Sequence, residues 1–170
     1  MIQSYERSTF KRGVTFAVFA VFAVGAVAAT SILGQIATYP NLSPWYAGLA
    51  KPSFNPPNWV FAPVWTTLYA LMAFALWRIL RVYGPSGIRR SAIALFLILL
   101  ASNATWSWMF FWAHSPLLGL VNIIPQLAVI VATIIVFAQL DCLAAICLVP
   151  LAAWVGFASV LNIAIWRLNG

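Results

Sequence analysis

Residues 91–141 read SAIALFLILLASNATWSWMFFWAHSPLLGLVNIIPQLAVIVATIIVFAQLD, and between Arg90 and Asp141 the only titratable basic side chain is His114. Crossing a hydrocarbon layer of about 30 Å takes roughly 20 helical residues, so this run holds two crossings. His114-Ser115-Pro116 is the turn between them, with Ser115 suited to cap a helix and Pro116 to a first helical position. The apolarity is continuous, where a barrel strand would alternate over about ten residues. The spacing predicts helices over Ser91–Trp112 and Leu117–Phe137.

The same pattern extends outward. No charge lies between Arg12 and Lys51, between Lys51 and Arg78, or between Asp141 and Arg167. Each gap holds one more crossing, over Val14–Ile36, Pro63–Ile79 and Leu143–Trp166, and the shortest of these could start inside Asn58–Phe61. Only 6% of the residues are charged and 64% are hydrophobic, against about 25% charged in an average soluble domain. A mean hydropathy of +0.98 agrees, and disorder, which needs low hydrophobicity, is excluded. The expected fold class is an all-α membrane protein, a five-transmembrane-helix bundle in a single domain over residues 1–170.

A net charge of +7 would suggest nucleic acid if the bases clustered on a polar face. They do not. Arg7, Lys11, Arg12, Arg78, Arg81, Arg89 and Arg90 fall on one side of the five crossings, and Lys51 and Arg167 on the other. That bias is the positive-inside signal, so no nucleic-acid partner is expected and the N-terminus is expected in the cytoplasm. A cleaved leader competes for the first crossing, because Ala26-Val27-Ala28 resembles a cleavage site. Ile32, Leu33 and Ile36 carry the apolarity further than a leader needs, which favours a retained helix.

The connection Thr38–Ala62 is dense in prolines (Pro40, Pro44, Pro52, Pro56, Pro57) and in aromatics (Trp45, Tyr46, Phe54, Trp59, Phe61). Prolines deny it a long regular helix, and Trp and Tyr favour the headgroup level. It reads as a lid folded over the bundle mouth, with an interfacial aromatic belt as the alternative. Pro63 suits a first helical turn, and Gly84, Pro85 and Gly87 supply the basic-side turn. Asp141 is placed to cap the fifth helix. Pro125 and Pro150 free the carbonyls of Val121 and Ile146 and should each kink or unwind a helix. Gly25 and Ala29 form a small-xxx-small pair fit for bundle packing or a dimer interface. Cys142 and Cys147 have no Cys/His cluster around them and read as structural.

Polar side chains inside the spans need partners, because an unpaired amide in hydrocarbon costs several kcal/mol, on the order of a lost buried hydrogen bond or more. Asn103, Trp106 and Phe110 share a face of the third helix, and Asn122 and Gln126 one of the fourth. Leu151, Trp154, Ala158, Leu161 and Asn162 cluster on the fifth. Interhelical bonding for assembly is one reading, and an inward-facing polar set is the other. The acidic complement is Glu6 and Asp141 alone, so no carboxylate pair for acid–base work exists. A single histidine excludes a histidine-rich metal site, and no metal is expected. What remains is an aromatic-lined cavity with neutral polar groups, suited to a large, flat, apolar ligand.

The run WYAGLAKPSFNPPNWVFAPVWTTLY (residues 45–69) resembles the signature of the TspO/MBR family of tryptophan-rich sensory and translocator (peripheral-type benzodiazepine receptor-like) proteins. NATWS (residues 103–107) with Phe110-Phe111 is similar to the family's third helix, and LVPLAAW (residues 148–154) with Phe157-Ala158 and Leu161-Asn162 to its fifth. The resemblance runs from the first helix to Asn169. It implies five transmembrane helices, often a homodimer, around a pocket for porphyrins such as protoporphyrin IX, with no other cofactor required. It also implies pocket indoles at Trp65 and Trp154, a third-helix wall at Asn103 and Trp106, and a lid region at Trp45, Tyr46 and Lys51. Phe110 and Ala158 join the expected ligand-binding set by sharing faces with these residues. Two departures stand out: Leu151 follows Pro150 where a tyrosine is common, which argues against cholesterol as ligand, and Ser102 replaces an apolar neighbour of the asparagine. The expected function is porphyrin binding for sensing, regulation or transport. Light- and oxygen-dependent porphyrin breakdown, with Trp65 and Trp154 as catalytic candidates, is the enzymatic alternative. A structural assembly partner holding only membrane lipid is the third.

Overall fold

A computed structural model describes residues 2–43, 45–82 and 85–170, with side chains from residue 16 onward. Pro44, Gly84 and the side chains of Arg7, Lys11 and Arg12 lie outside the described residues. The chain forms α1 (Ile2–Leu42), a single 3-10 turn (Tyr46–Gly48), α2 (Asn58–Arg81) and α3 (Ser86–Ser107), which continues as a π-turn over Trp108–Trp112. Then follow α4 (Pro116–Ala138), α5 (Cys142–Ile146) and α6 (Val149–Asn169). Among the described residues there is no strand, and five stretches are long and apolar enough to cross a membrane: Phe16–Leu42, Asn58–Arg81, Ser86–Trp112, Pro116–Ala138 and Cys142–Asn169. The five-helix expectation holds.

The boundaries differ from those expected. α1 runs past Ile36 and through Pro40, and here Thr38 Oγ1 donates to the Gly34 carbonyl (2.8 Å) and Asn41 Nδ2 to that of Ala37 (2.9 Å). α2 begins at Asn58, within the earlier start that Asn58–Phe61 offered, so Pro63 lies inside the helix and not in its first turn. The Trp59 carbonyl that Pro63 leaves unbonded belongs to a residue 73% exposed. The loop between these helices is therefore 43–57, shorter than Thr38–Ala62. α3 starts before Ser91, its first turn tied to α2 by Arg89 Nη2 donating to the Leu80 carbonyl. α4 stays helical across Pro125, so of the kink or unwinding expected there the unwinding does not occur. The fifth span breaks as expected at Pro150: the chain leaves the helix at Cys147-Leu148 and restarts with Pro150 in the first turn of α6.

Two caps expected from composition are present. Ser115 Oγ accepts from the Leu118 N–H (3.2 Å), and Asp141 Oδ1 from that of Ala144 (3.0 Å). The other Asp141 oxygen accepts from Arg78 Nε (2.9 Å) and Nη2 (2.7 Å), joining the α4–α5 turn to the end of α2. Burial pushes the Asp141 carboxyl up, but the Arg78 and Ala144 bonds outweigh it and hold the group below the usual carboxylate range. A carboxyl depressed on folding stabilises fully above its ordinary value of 3.8 and loses that contribution as pH falls through the folded value. Stability in detergent should therefore drop below about pH 4, the ordinary carboxylate range, and Asp141→Asn should flatten that limb. With Arg78 a third exposed, Asp141→Asn should cost about 1 kcal/mol at neutral pH; Asp141→Ala should cost about 2, because the cap goes too.

The helices close in the order α1, α2, α5–α6, α4, α3, with α3 packed on α4 and α1 on both α2 and α3. The half of the bundle near the Asp141 turn is solid: Met72, Leu76, Ile79, Ile130 and Leu148 are fully buried around the stacked pair Phe96 and Phe137 (5.8 Å between ring centroids). The half beneath the loop is not.

Candidate functional site

A cavity of about 420 Å³ lies in the loop-side half, bounded by all five spans and the 45–57 loop. Helical periodicity supplies its walls. Phe61, Trp65 and Tyr69 form one inward ridge of α2, and Trp154, Ala158 and Asn162 one of α6. Asn103, Trp106 and Phe110 come from the third span and Gln126 from α4. The π-turn closes the top of the third span through the Trp108 carbonyl accepting from the Ala113 N–H (2.9 Å) and the Phe110 carbonyl from that of Ser115 (3.2 Å). It lets two consecutive rings, Phe110 and Phe111, both face inward and be buried. His114, at φ 52°, then turns the chain into α4.

The buried polar groups form a directed set. Tyr69 Oη donates to Asn103 Oδ1 (3.0 Å). Trp106 Nε1 donates to Asn162 Oδ1 (3.2 Å), and Asn162 Nδ2 donates to the Pro116 carbonyl (2.7 Å), tying α3, α6 and α4 together. Gly119 permits this approach, since a Cβ there would stand 2.8 Å from both Asn162 Oδ1 and Phe110 Cδ2. Gln126 is 3% exposed, lines the cavity and makes no side-chain hydrogen bond among the described residues, so its amide is uncommitted.

The loop is latched above. Lys51 Nζ donates to the carbonyls of Tyr46 (2.6 Å), Leu49 (3.1 Å) and Ala47 (3.4 Å) and lies 4.5 Å from the Tyr46 ring centroid. Among the described residues that line the cavity it is the sole cation, and no carboxylate faces it. Burial raises the Tyr46 phenol above its ordinary value, against a smaller lowering by the Asn55 hydrogen bond. Ala50 and Asn169 exchange two bonds, N–H to Oδ1 and Nδ2 to carbonyl, each 2.9 Å. Trp45 stacks on His114 (4.9 Å), whose Nε2 meets Asn41 Oδ1 at 2.7 Å.

Of the residues expected from the sequence, Tyr46, Lys51, Trp65, Asn103, Trp106, Phe110, Trp154 and Ala158 all line the cavity. Trp45 does not; it buttresses Phe110 (5.4 Å) and Phe111 (6.3 Å) from behind. Asn122 also stays outside while Gln126 faces in, so the pair does not act as one face. Leu151 is fully buried in the core, away from the cavity. Tyr69, Phe61 and the α1 residues Ser31, Gln35 and Thr38 were missed. The α1 set had a readable signal, a polar group every three or four residues in an apolar helix.

The chemistry on offer is stacking on indoles and phenyl rings, with carboxamides to orient a ligand and a lysine at the rim. Among the described residues, no cluster of three His, Cys, Asp or Glu side chains could hold a metal ion. A family model described as "TspO/MBR family" matches residues 20–167. A protein named tryptophan-rich protein TspO, from Chlorobaculum tepidum, is 41% identical over 141 residues, covering 83% of this chain and 89% of that one. A translocator protein from Sus scrofa is 39% identical over 128 residues, 74% of this chain and 75% of the other. A tryptophan-rich sensory protein from Cereibacter sphaeroides is 37% identical over 125 residues, 74% and 77% of the two chains.

Proposed function

From the premise that this chain belongs to the TspO/MBR family of membrane proteins, we propose that it binds a tetrapyrrole such as protoporphyrin IX, as a sensor, regulator or transporter. The observation that carries this reading is the cavity itself: three indoles (Trp65, Trp106, Trp154) in the bundle, carboxamides that include Asn103 and Gln126, and Lys51 at the rim. A macrocycle would stack inside while its propionates stay near Lys51 and the headgroups, which spares two carboxylates from burial. Titrating purified protein with protoporphyrin IX and following tryptophan quenching and the porphyrin absorption band tests it. Saturable one-site binding is expected, and no binding would sink the proposal. Gln126→Leu should weaken binding about three- to ten-fold, the loss of about one hydrogen bond.

Lys51 separates a charge role from a latch role. If it meets a propionate, Lys51→Ala should weaken protoporphyrin IX by about five- to ten-fold, near 1 kcal/mol for a partly exposed pair, and should spare the dimethyl ester. Equal losses for acid and ester would assign Lys51 to the loop alone. The proposed assembly is a homodimer with its N-terminus in the cytoplasm, as the seven-to-two basic bias favours. Reporters in the 82–85 turn and after Gly170 should then read opposite sides.

A further inference from the structure

The cavity wall is not equally closed on all sides. The lining residues of α6 are all buried or half-buried. By contrast, Gln35 and Tyr39 of α1 and Asn58, Ala62 and Thr66 of α2 line the cavity and are exposed. They form two facing ridges with a four-residue stride, Ser31/Gln35/Tyr39 and Asn58/Ala62/Thr66. Each ridge spans nine residues, whose eight rises of 1.5 Å make about 12 Å. Exposed Ala47 sits among the lining residues at the loop level, as the upper lip. Below, the two helices close: Phe16 packs on Trp77 (5.0 Å), and Ala23 and Val27 join the core that holds Met72.

The ridges differ chemically from the surface around them. The neighbouring exposed residues of α1 are Ile32, Leu33 and Ile36, whereas the ridge carries Gln35, whose Nε2 donates to Ser31 Oγ (2.8 Å). A carboxamide on the lipid side of a span is costly unless it borders a cavity or path for polar groups. On the water side the cavity is held shut by the Ala50–Asn169 bond pair, the Lys51 latch and the Trp45–His114 stack.

We propose that the slot between α1 and α2 is the route by which the cavity exchanges ligand with the bilayer, and that the latched loop is its closed end. The inference rests on the tetrapyrrole reading above. It defines the ligand as a flat amphipathic molecule already dissolved in the leaflet on the loop side, passing edge-on while its polar groups slide along Ser31, Gln35 and Thr66.

The test uses full-length protein in phosphatidylcholine nanodiscs, with Ala62→Cys in a Cys142→Ser background, which removes the exposed native thiol and keeps buried Cys147. The new thiol is left free, capped with a methylthio group, or capped with a bulky aromatic thiol reagent. Stopped-flow tryptophan quenching by protoporphyrin IX gives both rates, and equilibrium titration gives the dissociation constant. The bulky cap should slow association and dissociation each by ten-fold or more. The methylthio cap should leave both rates within two-fold. Asn169→Ala, which frees the loop, should likewise leave both rates within two-fold. Rates untouched by the bulky cap, rates accelerated by Asn169→Ala, or a cap that weakens binding without slowing exchange would each overturn the slot. Failure of the unsubstituted protein to bind at all would instead overturn the tetrapyrrole reading, and this inference with it.

Discussion

Asn162→Leu should cost the bundle about 2–3 kcal/mol, the largest loss expected from any single polar side chain. Asn162 is 2% exposed and joins three helices, accepting from Trp106 Nε1 and donating to the Pro116 carbonyl. Leucine keeps the volume but leaves an indole N–H without a partner, at about 1–3 kcal/mol when buried, and strips the Pro116 carbonyl of the bond it accepts beyond the helical ladder. The average interhelical hydrogen bond in a membrane protein measures only about 0.6 kcal/mol, because the unfolded chain finds other partners. An indole N–H orphaned outright, beside a carbonyl that loses one of its two bonds, places this site above that average. Gly119→Ala attacks the same knot sterically, since its Cβ would press on Asn162 Oδ1 and Phe110, and should cost about 1–3 kcal/mol. The double substitution should fall short of the sum, because both break one contact. Unfolding in mixed micelles measures all three. A loss under about 0.5 kcal/mol for Asn162→Leu, the range of ordinary surface substitutions, would show that the knot contributes little.

Removing two of the three cavity indoles, Trp65 and Trp154, should do for binding what Asn162→Leu does for stability. Trp65 leans on Tyr69 (5.3 Å), and Trp154 meets Phe61 (5.8 Å) and Phe157 (5.6 Å), so each has one face committed to protein aromatics. Joint replacement by alanine should weaken protoporphyrin IX about 100-fold, since each indole presents a large stacking surface. Phenylalanine at either position keeps most of that surface and should shift affinity by about 1 kcal/mol or less. The phenylalanine variants also separate binding from photochemistry. Stacking alone leaves any light-dependent decay of the bound porphyrin proportional to occupancy. Decay abolished at unchanged affinity would move both indoles into the chemistry and favour the enzymatic alternative. Unchanged affinity and unchanged decay in both single variants and their combination would remove both residues from the site.

The charge-free intervals read correctly because desolvating a charge costs more than any local preference can offset, so four intervals, one of them long enough for two crossings, become five spans. Their ends were less legible. Hydropathy marks the thickness of hydrocarbon and not the length of helix, which is why α1 and α2 run through Pro40 and Pro63. Ser115 and Asp141 were readable as caps because a cap is a contact within a few residues. The π-turn was not readable, since widening one turn is decided by what Phe110 and Phe111 pack against, including Trp45 and Tyr46 from the loop. The Gln126 and Asn122 pair shows the remaining limit. Spacing puts the two amides on one side of α4, but only the neighbouring helices decide that the cavity edge falls between them.

The π-turn at Trp108–Trp112 carries one residue more than the α-helical ladder would hold. Its removal is therefore a different kind of change from any substitution. Deleting a single residue there would rewind the segment to a regular α-helix and turn side chains within it by up to about 100°, one residue's share of a 3.6-residue turn, while the chain beyond keeps its register. Phe110 and Phe111 could then no longer both face the cavity, and one ring would pass to the lipid side in a single step. Ligand size in this fold is thus open to adjustment by insertion and deletion as well as by exchange of side chains. A one-residue gap at this turn in a related sequence marks a roomier, differently roofed pocket on an otherwise unaltered bundle.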